Sequence, residues 1–203
     1  MSVRIYVEGG GDRSITRSQC REGFAAFFQK VVRAGFQPKI IAAGSGQEAY
    51  DDFGTALRQQ RDAFVVLLVD SEGPVNEFGK VWEHLKSQFN WERPEGAAED
   101  QAHLMVQCME AWFLADPDAL ACFYSQGFLR NSLPKRGNVE EVPKRDVFGV
   151  LAHATRNTKT KGEYHKTHHG FTLLARVDPS KVCKAAPHAD RLVSVIVKRC
   201  SRT

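Results

Sequence analysis

An α/β layer fold is predicted by three observations. Short β-branched and aliphatic runs alternate with segments of helical periodicity, and each run stops at a turn rich in glycine or acids. The third run is apolar without a break, as a strand buried on both faces would be.

Val3-Arg4-Ile5-Tyr6-Val7 alternates apolar and amphipathic side chains and stops at Glu8 and the triplet Gly9-Gly10-Gly11, which predicts a first strand entering a loop. Asp12 or Ser14 is a candidate helix cap. Cys20, Phe24, Phe27, Phe28 and Val31 then recur at helical spacing, predicting a helix to about Ala34. A second apolar run, 39–43, ends at Gly44-Ser45-Gly46, and a helix through Tyr50, Phe53 and Leu57 follows. The third strand, 63–69, ends at Asp70-Ser71-Glu72-Gly73-Pro74. Residues 90–101, with Pro94, Gly96 and several acids, read as a surface loop. A fourth strand is expected at 103–107 and a helix at 109–115, with Trp112 a core residue. Beyond about Gly127 the expected elements are helices at 144–156, 170–176 and 187–199. Consecutive strands and helices of this kind favour right-handed crossovers.

At 203 residues, with 42% hydrophobic and 26% charged side chains, the chain reads as one ordinary domain with an appendage. We divide it into an α/β core, 1–127, and a basic, mainly helical extension, 128–203, packed on that core. The net charge of +4 is unevenly spread: residues 1–129 carry 12 Lys and Arg against 18 Asp and Glu, residues 130–203 carry 16 against 6. A cation-collecting part joined to a polyanion-collecting part fits this asymmetry, as do two solvated faces. No window approaches the roughly 18 apolar residues of a membrane span and no signal pattern opens the chain, so no membrane association and a cytoplasmic location are expected. The 5 cysteines are scattered and never spaced C-x-x-C, which suggests neither a disulfide framework nor a cysteine zinc site.

In a parallel α/β sheet, ligands gather beyond the carboxyl ends of the strands. Glu8 and Asp70 occupy such positions after strands one and three, and Glu72 lies two residues further on. Brought together, these three carboxylates would repel unless a cation neutralised them, and hard oxygen ligands suit Mg²⁺ or Mn²⁺. Taken singly, each acid also has a structural role open to it, in a turn, a cap or a bond to glycine amides. Glu110 stands where nearly every neighbour wants burial, so it is exposed on a helix stripe, paired or metal-bound.

Residues 156–169 hold Arg156, Lys159, Lys161, Lys166 and three histidines, with Tyr164 among them. Such a stretch can contact phosphates, and a tyrosine there can stack on a base. A metal pair of His165 and His169, four residues apart, is the rival reading, and a solvated basic loop the plain one.

The strand ending in Val7-Glu8-Gly9 with Asp12 nearby, followed by a strand ending in Asp70-Ser71-Glu72-Gly73, resembles the TOPRIM signature. That signature is shared by type IA and II topoisomerases, bacterial primases and nucleases of the overcoming-lysogenization-defect type. More closely, the chain is similar to a bacterial family of small TOPRIM-like proteins of uncharacterised function, often encoded beside an ABC-type or AAA ATPase in defence-like neighbourhoods. The segments carrying this likeness are 6–12 (YVEGGGD), 49–53 (AYDDF), 68–74 (LVDSEGP), 103–116 (HLMVQCMEAWFLAD) and 161–166 (KGEYHK). The resemblance implies a TOPRIM-like, Rossmann-type, mostly parallel sheet flanked by helices. Glu8 takes the place of the family glutamate and Asp70 that of the first aspartate of its D-x-D pair. Glu72 departs from the second aspartate, and Gly10-Gly11 stand where related nucleases carry other residues.

The function expected from this is metal-dependent hydrolysis of DNA or RNA, controlled by an ATPase partner that the resemblance alone implies. Mg²⁺ or Mn²⁺ would be held by Glu8, Asp70 and Glu72, and Lys161 or Lys166 would add positive charge at the phosphate. Glu110, His165 or His168 would activate water. Arg156, Lys159, Lys161, Tyr164, Lys166 and His168 would bind the nucleic acid. A topoisomerase would need a catalytic tyrosine on another domain and a primase a polymerising apparatus, and neither fits 203 residues. The competing class is a non-catalytic adaptor that binds nucleic acid or docks on the ATPase; the glutamate at position 72 favours it.

Overall fold

The chain builds a four-stranded sheet in which every strand runs parallel, in the order β2-β1-β3-β4. It is described here by a computed structural model covering residues 2–201. The strands are β1 (Ser2–Gly10), β2 (Lys39–Gly44), β3 (Ala63–Asp70) and β4 (Ala102–Met105). The helices are α1 (Ser14–Gln29), α2 (Gly46–Gln59), α3 (Val81–Phe89), α4 (Ala111–Leu114), α5 (Pro117–Tyr124), α6 (Lys144–Thr155), α7 (Lys166–Leu174), α8 (Pro179–Ala185) and α9 (Pro187–Cys200).

Alternation along the strands assigns side chains to two cores, since successive residues of a strand point to opposite faces. Ile5, Val7, Phe64, Val66 and Leu68 join one apolar cluster with α1 and the helices beyond residue 127. Tyr6, Val65, Leu67 and Val69 join a second with α2 and α3. Strand β3, paired on both edges and covered on both faces, is buried from Phe64 to Asp70, as its unbroken apolar run predicts. Trp112 is a core residue: it is fully buried, stacked on Phe27 at 5.2 Å and 25°. Rings removed from water in this way contribute roughly 2–3 kcal/mol each.

Several bounds differ from the sequence expectation. Strand β1 runs on through Glu8 to Gly10, with Glu8, Gly9 and Gly10 all set against Gly44 in a shifted register. Neither Asp12 nor Ser14 caps α1: the cap position is Arg13, with no side-chain hydrogen bond. The helix stops at Gln29, five residues early; Lys30 is its cap residue, and the Lys30 ammonium donates to the carbonyls of Ala175 and Val177, both at 2.8 Å. Helix α2 has the capping box that its Ser45-x-x-Glu48 sequence allows. Strand β4 ends at Met105, and the helix expected at 109–115 is the single turn α4. Helix α7 begins four residues before the expected 170, and α3, α5 and α8 are additional to the expected elements. No helix among the described residues is long and apolar enough to cross a membrane.

The tight end of β1 depends on glycine. Gly10 has φ +89°, and a Cβ there would lie 2.7 Å from the Arg17 Cα. Gly10→Ala should therefore lower the urea midpoint, with a cost of about 1–3 kcal/mol from backbone strain and collision with the first turn of α1. An unchanged midpoint would show that the β1 turn relaxes freely.

Candidate metal centre

Parallel pairing of β1 with β3 sets Val7 beside Leu68, so Glu8 and Asp70, one and two residues further on, emerge at the same carboxyl end of the sheet. Oxygens of Glu8, Asp70 and Glu72 lie within 4.8 Å of one another, and among the described residues this is the one group of three or more such side chains able to hold a metal. Glu8 Oε2 accepts the Asp70 N–H at 3.1 Å, and Asp70 Oδ1 accepts the Met109 N–H at 2.9 Å. Close approach of α2 completes the wall. A Cβ on Gly46 would stand 3.1 Å from Glu8 Oε2 and 3.2 Å from the Trp91 ring.

Glu72 reaches the cluster from a left-handed backbone, φ +59°. Its N–H donates to the Gln107 carbonyl at 3.1 Å, the Ser71 hydroxyl donates to the Gly73 carbonyl at 2.6 Å, and His84 Nε2 donates to the Ser71 carbonyl at 3.0 Å. Glu72 thus brings its carboxylate to the other two.

Glu110 belongs to the same neighbourhood. Its side chain is fully buried, its Oε1 accepts the Tyr164 hydroxyl at 3.3 Å and lies 3.7 Å from Lys166 Nζ, and its Oε2 has no partner. Lys144, the first residue of α6, supplies a second ammonium that contacts Glu72 and lies 3.5 Å from Asp70 Oδ2.

The charges push one another's protonation. Burial, then the nearby Glu8 and Glu110, raises the Asp70 carboxyl to about 8, with Lys144 and Lys166 pulling the other way. Burial also raises Glu8, against the opposing hydrogen bond from the Asp70 amide. For Lys144 and Lys166 burial works to lower the value, and the surrounding carboxylates more than reverse it.

Of the other residues proposed from sequence, Lys166 is at the cluster and Lys161 is not. The Lys161 ammonium lies 5.1 Å from the centre of the Phe123 ring and contacts none of Glu8, Asp70, Glu72 or Glu110. Tyr164 is not available to stack on a base: it is buried beside Phe113 and Phe148 and commits its hydroxyl to Glu110. Arg156, Lys159, Lys161, His165 and His168 are exposed. The His165–His169 metal pair does not form. His165 is the cap residue preceding α7, and the buried His169 Nδ1 instead accepts the His165 N–H and the Tyr124 hydroxyl, each at 3.1 Å. The residues missed from sequence are Lys144, Gln107 and His84; Lys144 carried no signal beyond opening an expected helix.

A cleft of about 560 Å³ adjoins the acids, lined by Gly9, Gly10, Arg13, Met109, Lys166 and His168 among others. Helices α1 and α7 both begin on its wall, and neither has a side-chain cap nor an acid in its first turn. Uncapped amides, Arg13 and Lys166 are the positive features of that wall, and Asp12 is an acid on it.

The chain matches the family described as a domain of unknown function, DUF4276, over residues 7–196, and belongs to it. Comparison with curated proteins and with solved structures gave no match.

Asp70 gives the metal-free protein a definite pH dependence. With its folded pKa raised, the native state holds a proton that the unfolded chain releases near pH 4, so stability falls as pH rises from about 4 to about 8 and levels off above. Asp70→Asn should melt several degrees higher than wild type at pH 8.5, the gap closing towards pH 4. A variant that melts lower at pH 8.5 would contradict the assignment.

Proposed function

We propose that the protein is a metal-dependent nuclease, hydrolysing phosphodiesters of DNA or RNA with Mg²⁺ or Mn²⁺ on a TOPRIM-like sheet. The observation that carries this reading is a charge mismatch. Four carboxylates, Glu8, Asp70, Glu72 and Glu110, converge on two ammonium groups, and one buried oxygen of Glu110 has no partner at all. Once an incoming ion displaces the proton held on Asp70, so that all six groups are ionised, one divalent cation would make up the difference. The all-oxygen donor set suits a hard ion such as Mg²⁺ or Mn²⁺ and not a thiophilic one.

Glu8, Asp70 and Glu72 would hold the ion, which supplies polarisation of a phosphoryl oxygen and charge neutralisation at the leaving oxygen. The remaining roles belong to the chain. Lys166 presents its ammonium between the acids and the cleft, where it can pair with a phosphate. Glu110, whose buried Oε2 has no partner in the protein, would take the proton of a water admitted with the ion. The cleft wall of α1 and α7 start residues, with Arg13, Lys166, His165 and His168 set against the single acid Asp12, would receive an anion. Arg156, Lys159 and Lys161 extend the exposed basic surface along which a polyanion would lie. Control by an ATPase partner of the ABC or AAA type, in a defence-like setting, is part of the proposal and rests on the family resemblance.

A second reading, a non-catalytic nucleic-acid-binding or ATPase-docking protein, is favoured by the Lys144 ammonium already lying against two of the acids.

Pure protein incubated with DNA and RNA, with and without Mg²⁺ or Mn²⁺ and with the ATPase partner present, separates the two. We expect metal-dependent cleavage, reduced at least roughly 100-fold by Glu8→Gln and by Asp70→Asn, as loss of several kcal/mol of charge stabilisation implies. Binding that survives both changes, with no cutting under any condition, would establish the adaptor.

A further inference from the structure

We propose that Lys144 is the built-in counter-cation of the carboxylate cluster and that a divalent ion binds by exchanging with its ammonium. The inference rests on the metal reading and concerns how the site is held before its ion arrives.

Lys144 Nζ meets two of the three candidate ligands, Glu72 Oε1 and, at 3.5 Å, Asp70 Oδ2. The contact is built into the backbone. The buried Gln107 carbonyl accepts the Glu72 N–H at 3.1 Å, while its side-chain Oε1 accepts the Lys144 N–H, also at 3.1 Å. One residue therefore sets both the third carboxylate and the base of the lysine that neutralises it. Lysine is a compact charge on a flexible four-carbon stem, so its head can leave while its amide stays tied. The Lys144 side chain is about one quarter exposed, which leaves it a route outward.

Mg²⁺ and an ammonium compete for the same carboxylate lone pairs, and two cations packed against one oxygen repel. Exchange breaks no covalent bond. The proton stays on Nζ, the ammonium gives up Glu72 and Asp70, and the cluster gains one unit of positive charge as a divalent ion replaces a monovalent one. Lys166 is differently placed: it pairs with Glu110, outside the three candidate ligands, and stays.

Brief acetic anhydride labelling of the wild-type chain, quantified lysine by lysine by mass spectrometry, tests the exchange. Calorimetry establishes Mg²⁺ and Mn²⁺ uptake under the same conditions. We expect Lys144 labelling to rise several-fold on adding Mg²⁺, while Lys39, exposed at the start of β2, stays constant. Lys144→Gln should take up Mn²⁺ about tenfold more tightly, since no internal cation has to leave. Metal uptake with Lys144 as protected as before overturns the exchange and leaves the metal centre standing. No uptake by the wild type overturns the metal centre, and the exchange with it.

Discussion

Crowded negative charge at the carboxyl edge of a dry parallel sheet is the constraint on which the rest of this molecule depends. Like charges about 5 Å apart repel by roughly 3 kcal/mol at an effective dielectric near 20, and burial adds a desolvation cost to each. A protein whose net stability is of the order of 10 kcal/mol tolerates such a cluster only with compensation. Here it is threefold. Backbone amides of Asp70 and Met109 donate to Glu8 and Asp70, two lysines approach from helices far along the chain, and Asp70 itself is pushed towards its protonated form.

Architecture delivers that cluster with little freedom. Parallel pairing of adjacent strands β1 and β3 brings Glu8 and Asp70 to the same end of the sheet, one residue out of step, and the two apolar layers above and below hold the strands in place. The helices after residue 127 add the cations: α6 brings Lys144 and α7 brings Lys166. Their packing belongs to the same apolar cluster as β1 and α1, so the opposite charges of the two halves meet at the rim of one core. The unequal charge of the halves thus has a structural consequence at the cluster, whatever the exposed part of the basic surface binds.

What was legible in the sequence was what a strand end declares locally. Glu8 and Asp70 stand directly after short apolar runs, and the parallel order follows from strands separated by helices. Lys144 is different in kind: its role depends on a contact with Glu72 across 72 positions of chain, and no periodicity reports it. Tyr164 misleads for the complementary reason. Its sequence neighbours are basic and exposed, yet the turn after α6 folds it inward until its hydroxyl meets Glu110. The contact of the Lys30 ammonium with the carbonyls of Ala175 and Val177 is likewise tertiary, and nothing near Lys30 in the chain reports it. Short helices such as α3 and α8 offer too few turns for a hydrophobic face to stand out.

The glutamate at position 72 acquires its meaning from the loop that carries it. A non-glycine residue in the left-handed region costs roughly 1 kcal/mol and persists only where its surroundings over-determine it. Around Glu72 three hydrogen bonds do so, through Gln107, Ser71 and His84, and the last comes from α3, whose packing is independent of the acids. Asn90 and Ser125 also have positive φ, at the ends of α3 and α5, so a positive φ alone marks no site. At Glu72 it sets the direction from which the side chain returns its carboxylate to the group. The extra methylene of glutamate and the left-handed backbone are therefore parts of one arrangement, which keeps a third oxygen donor beside Glu8 and Asp70 and in reach of Lys144.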